Sequence, residues 1–325
     1  MKLNKIYMGL AFAAGLLASC KNSDSPTPDF DYSNVYFATQ YPLRTMVLGE
    51  DLIVDNSLDN QHKVSIKATM GGVSENKNDV VIDFKVDETL LNNLYFANSN
   101  DKVTAMPAQY YQLASNKITI PKGSIIGGVD VQLTDAFFSD PKSISRNYVI
   151  PLSMTGVTGV DSLLKRKAQV LYAIKYVNPW HGNFLRRGKD EITPTVGVVS
   201  TAIRHNQYVE NDQVVTTTTT GYKSVTLPLT IKNSAGTNVP FTLVLTFADN
   251  GTCAVTGNSA DFDIAGTGKY VSKGEKNSLG GTDRSAIYLD YTVNFKNLNT
   301  RYATKDTLVA RDRNVKAEYF DVQVK

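Results

Sequence analysis

The chain has 325 residues, enough for two ordinary domains, and its 42% hydrophobic and 20% charged residues are the balance of a folded protein, not a disordered one. The formal charge is +3; once Lys2 and Lys5 leave with a leader, 32 basic residues face 31 acidic ones, giving +1. So neutral a chain lacks the basic footprint that a phosphate backbone requires, which argues against nucleic acid as a partner.

Residues 1–19 read as a secretory leader: Lys2 and Lys5 precede an uncharged apolar run from Ile6 to Ala18, too short to span a bilayer core of ~30 Å. The run ends in Leu17-Ala18-Ser19-Cys20, which resembles the lipobox of bacterial lipoproteins. That resemblance implies a lipoprotein signal peptide, acylation of Cys20 (a diacylglyceryl group with palmitate-type chains) and membrane attachment through this anchor. Several acyl chains hold a protein stably where one does not. Residues 20–31 then form the acylated cysteine and a flexible tether, polar and carrying Pro26 and Pro28. Asp24 resembles the export signal of Bacteroidetes surface lipoproteins, so the expected location is the outer membrane, lipid-anchored, at the cell surface. With Cys20 acylated, Cys253 has no disulfide partner and reads as a small buried residue.

Residues 32–176 show the period-two alternation of half-buried strands. Val64, Ile66, Ala68 and Met70 form one such series; Val80, Ile82, Phe84 and Val86 another; then Val129, Val131 and Leu133; Tyr148, Ile150, Leu152 and Met154; and Ala168, Val170, Tyr172, Ile174 and Tyr176. Residues 87–94 are a candidate helical turn. Strands at this spacing predict an Ig-like antiparallel β-sandwich.

Pro179 in Val177-Asn178-Pro179 marks a boundary, because proline cannot donate to a ladder. Residues 177–325 alternate again, at Val225–Ile231, Val239–Phe247 and Ile287–Phe295, with two more strands expected between Thr307 and Val324. Asn250-Gly251 is a hairpin signal of the type I′ kind, with positive φ expected at both residues. Pro228 marks a bulge or an edge. About eight strands in hairpin order predict a lipocalin-like up-and-down β-barrel, and the fold class is therefore all-β, sandwich followed by barrel.

No motif assigns chemistry. His62, His181 and His205 are too scattered for a local zinc site, no Gly-x-Ser-x-Gly elbow or phosphate loop is present, and no metal or cofactor is expected. Asp87-Glu88 and Asp261-Phe262-Asp263 are read as solvated faces, not as a catalytic carboxylate pair. The candidate ligand-binding residues are few. Trp180, the single tryptophan, would stack on a sugar ring or else plug the barrel end. Tyr208 and Tyr222 flank the five threonines 216–220, a hairpin that is either solvent-facing or presents hydroxyls to a carbohydrate. Residues 273–284 (KGEKNSLGGTDR) form a long polar loop in which Lys273, Asn277, Asp283 and Arg284 are the candidates. Arg186 and Arg187 cannot share a strand face.

Residues 111–135 (YQLASNKITIPKGSIIGGVDVQLTD) and the run from Tyr148 to Leu152 resemble an N-terminal domain of unknown function in Bacteroidetes surface lipoproteins, a domain also joined to family-18 endoglycosidases. The stretch from Trp180-His181-Gly182 through 273–277 to 280–284 resembles the lipocalin-like domain that accompanies it. The resemblance implies a glycan-handling role beside polysaccharide-utilisation genes and brings no catalytic residues; the family-18 acidic strand motif is not reproduced by residues 83–88 (DFKVDE). The leading expectation is a non-catalytic, glycan-binding surface lipoprotein working with outer-membrane uptake proteins. An adhesive or structural assembly component of the outer membrane surface is the alternative, and an unrecognised glycoside hydrolase the third reading.

Overall fold

A computed structural model describes residues 32–325 apart from Ser234 and Asn258. The expected leader, the acylated Cys20 and the tether lie outside the described residues. What is described is all-β: a sandwich followed by a closed eight-stranded barrel.

Across the N-terminal sheet the strands run Ser162–Leu163, Asn34–Tyr36, Lys63–Gly71, Ile126–Leu133, Lys117–Ile120, Val80–Val86, Tyr148–Thr158, Gln169–Val177, Pro42–Val47 and Glu318–Tyr319. Pairing between Lys117–Ile120 and Ile126–Leu133 is reduced to Thr119↔Gly128, so the sheet turns a corner there. Both arms then face one core, in which Val64, Ile66, Val129 and Val131 meet Ile82, Ile150, Leu152 and Ile174. Except for the exposed Val86, the residues that alternate in the sequence are the ones that point inward. Three pairings are parallel: Pro42–Val47 on Gln169–Val177, Asn34–Tyr36 on Ser162–Leu163, and Thr104–Ala105 on Tyr148–Thr158. These strands are distant in sequence and no hairpin dictates their direction. The helical turn read at 87–94 is a short 3₁₀ turn, Glu88–Leu91.

The arm containing Tyr148–Thr158 and Gln169–Val177 is buried on both faces. Its outer residues Val149, Leu171 and Ala173 join Leu43, Leu91, Phe96, Val103 and Phe320 in a second small core. Tyr148–Leu152 is therefore buried without interruption, like a central strand.

The barrel comprises Gly182–Pro194, Gln213–Gly221, Ser224–Lys232, Asn238–Phe247, Thr252–Thr256, Phe262–Glu275, Arg284–Phe295 and Thr300–Asp312, closed by pairing the first with the last. Ser200–Arg204 is an extra strand on the far half of Gly182–Pro194, whose near half pairs with Gln213–Gly221. Pairing between Gln213–Gly221 and Ser224–Lys232 ends at Thr218↔Thr226, and Pro228 lies just beyond, where a missing N–H breaks no ladder on that side. At Asn250-Gly251 only Gly251 has positive φ (+80°), and its N–H donates to the Ala248 carbonyl. The hairpin is thus a three-residue loop with a bulged glycine, not the type I′ turn read from the dipeptide.

The tail differs from the sequence reading. Two barrel strands were expected between Thr307 and Val324, but the barrel ends with Asp312. Residues beyond it cross back to the sandwich, where Glu318–Tyr319 pairs with Pro42–Val47 and Val322–Val324 pairs with Leu94–Phe96. The chain thus passes between the domains twice, at 177–181 and at 313–317. Both crossings are bonded. Asn178 is fully buried; its side-chain amide donates to the Gly221 and Ser224 carbonyls (3.0 and 2.8 Å) and its backbone N–H to Thr219 Oγ1 (3.0 Å). Arg313 donates to the carbonyls of Leu48, Glu50, Asn178 and His181 (2.6–2.9 Å), tying both crossings to the sandwich loop. Gly49, at φ +86°, lets that loop approach Pro179, where a Cβ would stand 2.6 Å from the proline Cβ.

Candidate functional site

The barrel interior is filled with side chains. Phe184, Leu227, Leu243, Leu245, Ile287 and Leu308 occupy its middle. Towards the half that Ser200–Arg204 covers, the filling is polar. The Arg186 guanidinium pairs with Asp306 (2.9 Å), Tyr291 donates to the same carboxylate (2.9 Å), and Arg204 bridges Asp306 and Asp190. Thr304 donates to Asp190 (2.7 Å). Arg186 and Asp306 are almost completely enclosed. A charge pair so buried is tolerable only because its hydrogen bonds are satisfied.

The open space lies where the domains meet. Two concavities, about 780 and 540 Å³, share the returning segment 314–318 and Thr45 as walls. The larger is bounded by the Pro42–Val47 strand, the loop 51–59, Tyr172 and Tyr319. The smaller is bounded by Lys175, Val177 and Ile144 of the sandwich and by His181, Thr218 and Thr219 of the barrel. Size and position, at a domain interface with a few convergent polar groups, are those of a ligand-binding cleft.

Its floor is made of ion pairs. Arg44 Nη2 reaches Asp59 Oδ1 at 2.5 Å, and Asp59, only 2% exposed at its side chain, also accepts the Val47 N–H (2.8 Å). Lys175 pairs with Glu318 at 2.6 Å, and Thr45 Oγ1 donates to the same carboxylate (3.1 Å). The His181 ring accepts the Thr219 N–H at Nδ1 (3.1 Å), which leaves the proton on Nε2. Burial, reinforced by Arg313 and Lys175, lowers its pKa to about 4, so the imidazole is neutral. The rim is apolar and aromatic: Ile53, Val54 and Tyr319 are 74, 61 and 67% exposed.

The residues singled out from sequence fall in different places. Trp180 stacks face to face on Phe247 (4.0 Å, 4° between planes) against the barrel core. Tyr222, on the turn after the threonine strand, packs on Phe138 and Tyr176 of the sandwich (5.7 and 6.2 Å). Thr217 and Thr219 of that strand point inward and Thr218 and Thr220 outward. Tyr208 is exposed and precedes the 3₁₀ turn Val209–Asn211, which lies beside the turn Leu279–Gly281 of the polar loop. Within that loop Asp283 accepts the Asn277 N–H (3.1 Å) and pairs with Lys276 (2.9 Å), contacts that hold its carboxyl below the usual range. Arg284 Nε donates to the Leu279 carbonyl (3.0 Å), and the Lys273 N–H to Ser285 Oγ (3.1 Å). The structure thus brings Tyr208 and the loop together and keeps both apart from Trp180 and Tyr222. Arg186 points inward and Arg187 outward, to Asp212 (2.6 Å).

Catalytic groups do not assemble at the acidic residues considered. Asp263 pairs with Lys296 and Asp87 with Lys85 at the surface. Cys253 is buried, which pushes its thiol up to about 11. Among the described residues no group of three or more His, Cys, Asp or Glu could hold a metal ion, and no helix is long and apolar enough to cross a membrane.

These features define a class: two-domain all-β proteins in which a filled barrel is docked on a sandwich, with a polar cleft at the junction. A model of a domain of unknown function, DUF5627, matches residues 179–314, and a model of an N-terminal domain matches residues 30–161. A crystal structure of a Bacteroides ovatus protein of unknown function shares 53% identity, covering 91% of this chain and 100% of that one, with a TM-score of 0.84. The chain belongs to the same family as that protein. Much more distant are a second Bacteroides ovatus protein of unknown function (14% identity, 89 and 100% covered, TM-score 0.42) and an auxiliary nutrient binding protein of Bacteroides thetaiotaomicron (14% identity, 82 and 90% covered, TM-score 0.40). At that distance neither carries a function across. No curated protein matches the sequence.

Proposed function

We propose that the protein is a non-catalytic glycan-binding accessory, held at the outer membrane surface by an acylated Cys20 and working beside proteins of a polysaccharide-uptake system. The observation that carries this reading is the junction cleft. It joins planar hydrogen-bonding groups on its floor, Arg44–Asp59 and Glu318, to an exposed aromatic and apolar rim including Tyr319. Sugar rings present hydroxyls at their edges and C–H groups on their faces, and this arrangement offers a partner for each.

Tyr208 and the loop with Lys273, Asn277, Asp283 and Arg284 provide a second, more exposed contact region. Trp180 serves packing, since Phe247 covers one face of its indole. A glycan array with the chain from Ser23 onward, compared with Tyr319→Ala, Tyr208→Ala and Trp180→Ala, tests the reading. Binding should fall about ten-fold or more in Tyr319→Ala, with Trp180→Ala lowering stability by ~3 kcal/mol and leaving affinity intact. A blank array across host and plant polysaccharides would turn attention to an adhesive or assembly role.

A further inference from the structure

The charged side chains on the cleft floor are already bonded to one another. Arg44 is held by Asp59 and Lys175 by Glu318, while the half-buried Arg313 is committed to backbone carbonyls. Counted over both concavities, four cations (Arg44, Lys175, Arg313, Lys316) stand against five carboxylates (Asp51, Asp55, Asp59, Asp312, Glu318). The site is crowded with charge and close to neutral.

Resting on the glycan reading above, we propose that the cleft selects uncharged saccharides and rejects those bearing carboxylate, sulfate or amine groups. An anionic sugar approaching Arg44 competes with Asp59 for the same guanidinium and brings its own charge beside that enclosed carboxylate. One seeking Lys175 would release Glu318 and bring its own charge beside that carboxylate. An amino sugar meets the mirror-image obstacle, since Glu318 and Asp59 are both held by cations. A neutral hydroxyl meets neither obstacle, because it donates and accepts at once. It can accept a hydrogen bond from Arg44 at one place in the cleft and donate one to Glu318 at another, leaving both ion pairs intact. The His181 Nε2–H adds a donor without adding charge. Lys316 and Asp55 stand on the exposed rim, where water and salt screen them.

The test uses the full-length protein in a sugar-free zwitterionic detergent. Neutral gluco-, manno-, xylo- and galacto-oligosaccharides are titrated beside oligogalacturonides, sulfated galactan fragments and chitosan oligomers of matched length, at about 25 and about 250 mM NaCl. The expected result is binding confined to a neutral series, with a Kd that changes less than about two-fold with salt. It should weaken about ten-fold or more in Tyr319→Ala, a surface change that leaves the ion pairs in place. Tighter binding of a charged series, lost at the higher salt, overturns the inference and leaves the glycan reading standing. Neutral binding unaffected by Tyr319→Ala and by Thr45→Val overturns the placement in this cleft. No binding by any series overturns the inference together with the reading on which it rests.

Discussion

His181 shows how position alone sets the chemistry of a side chain here. The ring lies in the wall of the cleft beside Arg313 and Lys175, so protonation is opposed by burial and by two neighbouring cations. With a folded-state pKa of about 4 against 6.5 for an exposed ring, the unfolded chain binds the extra proton first as pH falls. Stability is therefore full above about pH 6.5 and is lost progressively down to about pH 4, by up to ~3 kcal/mol from this group. Urea midpoints measured at pH 7.5 and 4.5 should fall further for the natural protein than for His181→Gln; equal falls would remove His181 from the account. The sequence showed three scattered histidines and could not show this, because the charges around His181 come from positions 175 and 313. Arg44 and Glu318 were missed for the same reason: each sits in a short strand with no local motif, and they share a cleft only after the tail returns. A charged residue inside a short strand-forming run, as in Leu43-Arg44-Thr45, was the one available signal.

At the scale of elements, alternation was a faithful guide wherever a strand had one apolar face. The series from Val64, Val80, Val225, Val239 and Ile287 all became strands with those residues in or against a core, Val86 alone being exposed. The rule fails where a polar side chain points inward. Arg186, Asp190, Thr304 and Asp306 have the pattern of solvated residues, yet they form the polar filling of the barrel. Only register reveals this: Asp190 lies opposite Ala202 on one side and Thr304 on the other. Asp306 is the centre of the cluster, accepting from Arg186, Arg204 and Tyr291. Replacing it by Asn should strip the enclosed Arg186 guanidinium of its counterion and the half-buried Arg204 of one of its two, lowering stability by ~3–5 kcal/mol. A chemical-denaturation change below about 1 kcal/mol would show the network to be dispensable. The Ser200–Arg204 strand should be the first part of the barrel to gain hydrogen-exchange rate in that variant, since Arg204 is its link to the interior.

At the scale of the whole molecule, the two domains behave as one because the C-terminal residues complete the first of them. Phe320 is almost fully buried between Tyr41 and Phe96 (ring centroids 5.7 and 5.4 Å), and without it Leu43, Val149 and Leu171 would lose their cover. Phe320→Ala should cost ~3–5 kcal/mol, and the loss should appear in one cooperative transition seen equally by sandwich and barrel probes. Two separated transitions in the natural protein would contradict this. The sequence carried the domain types but not this closure. Val322 and Val324 alternate like barrel residues, and nothing local says that their partner is the strand at 94–96.

Because the chain leaves the sandwich at Val177 and re-enters it at Glu318, the barrel hangs from its host by two neighbouring threads, with both ends of the described chain belonging to the host. A unit attached in that way can be exchanged for another whose ends lie equally close, without disturbing the strands on either side. The sandwich is then a reusable mount, and evolution can alter what is displayed at the junction by replacing the pendant part while the mooring stays the same.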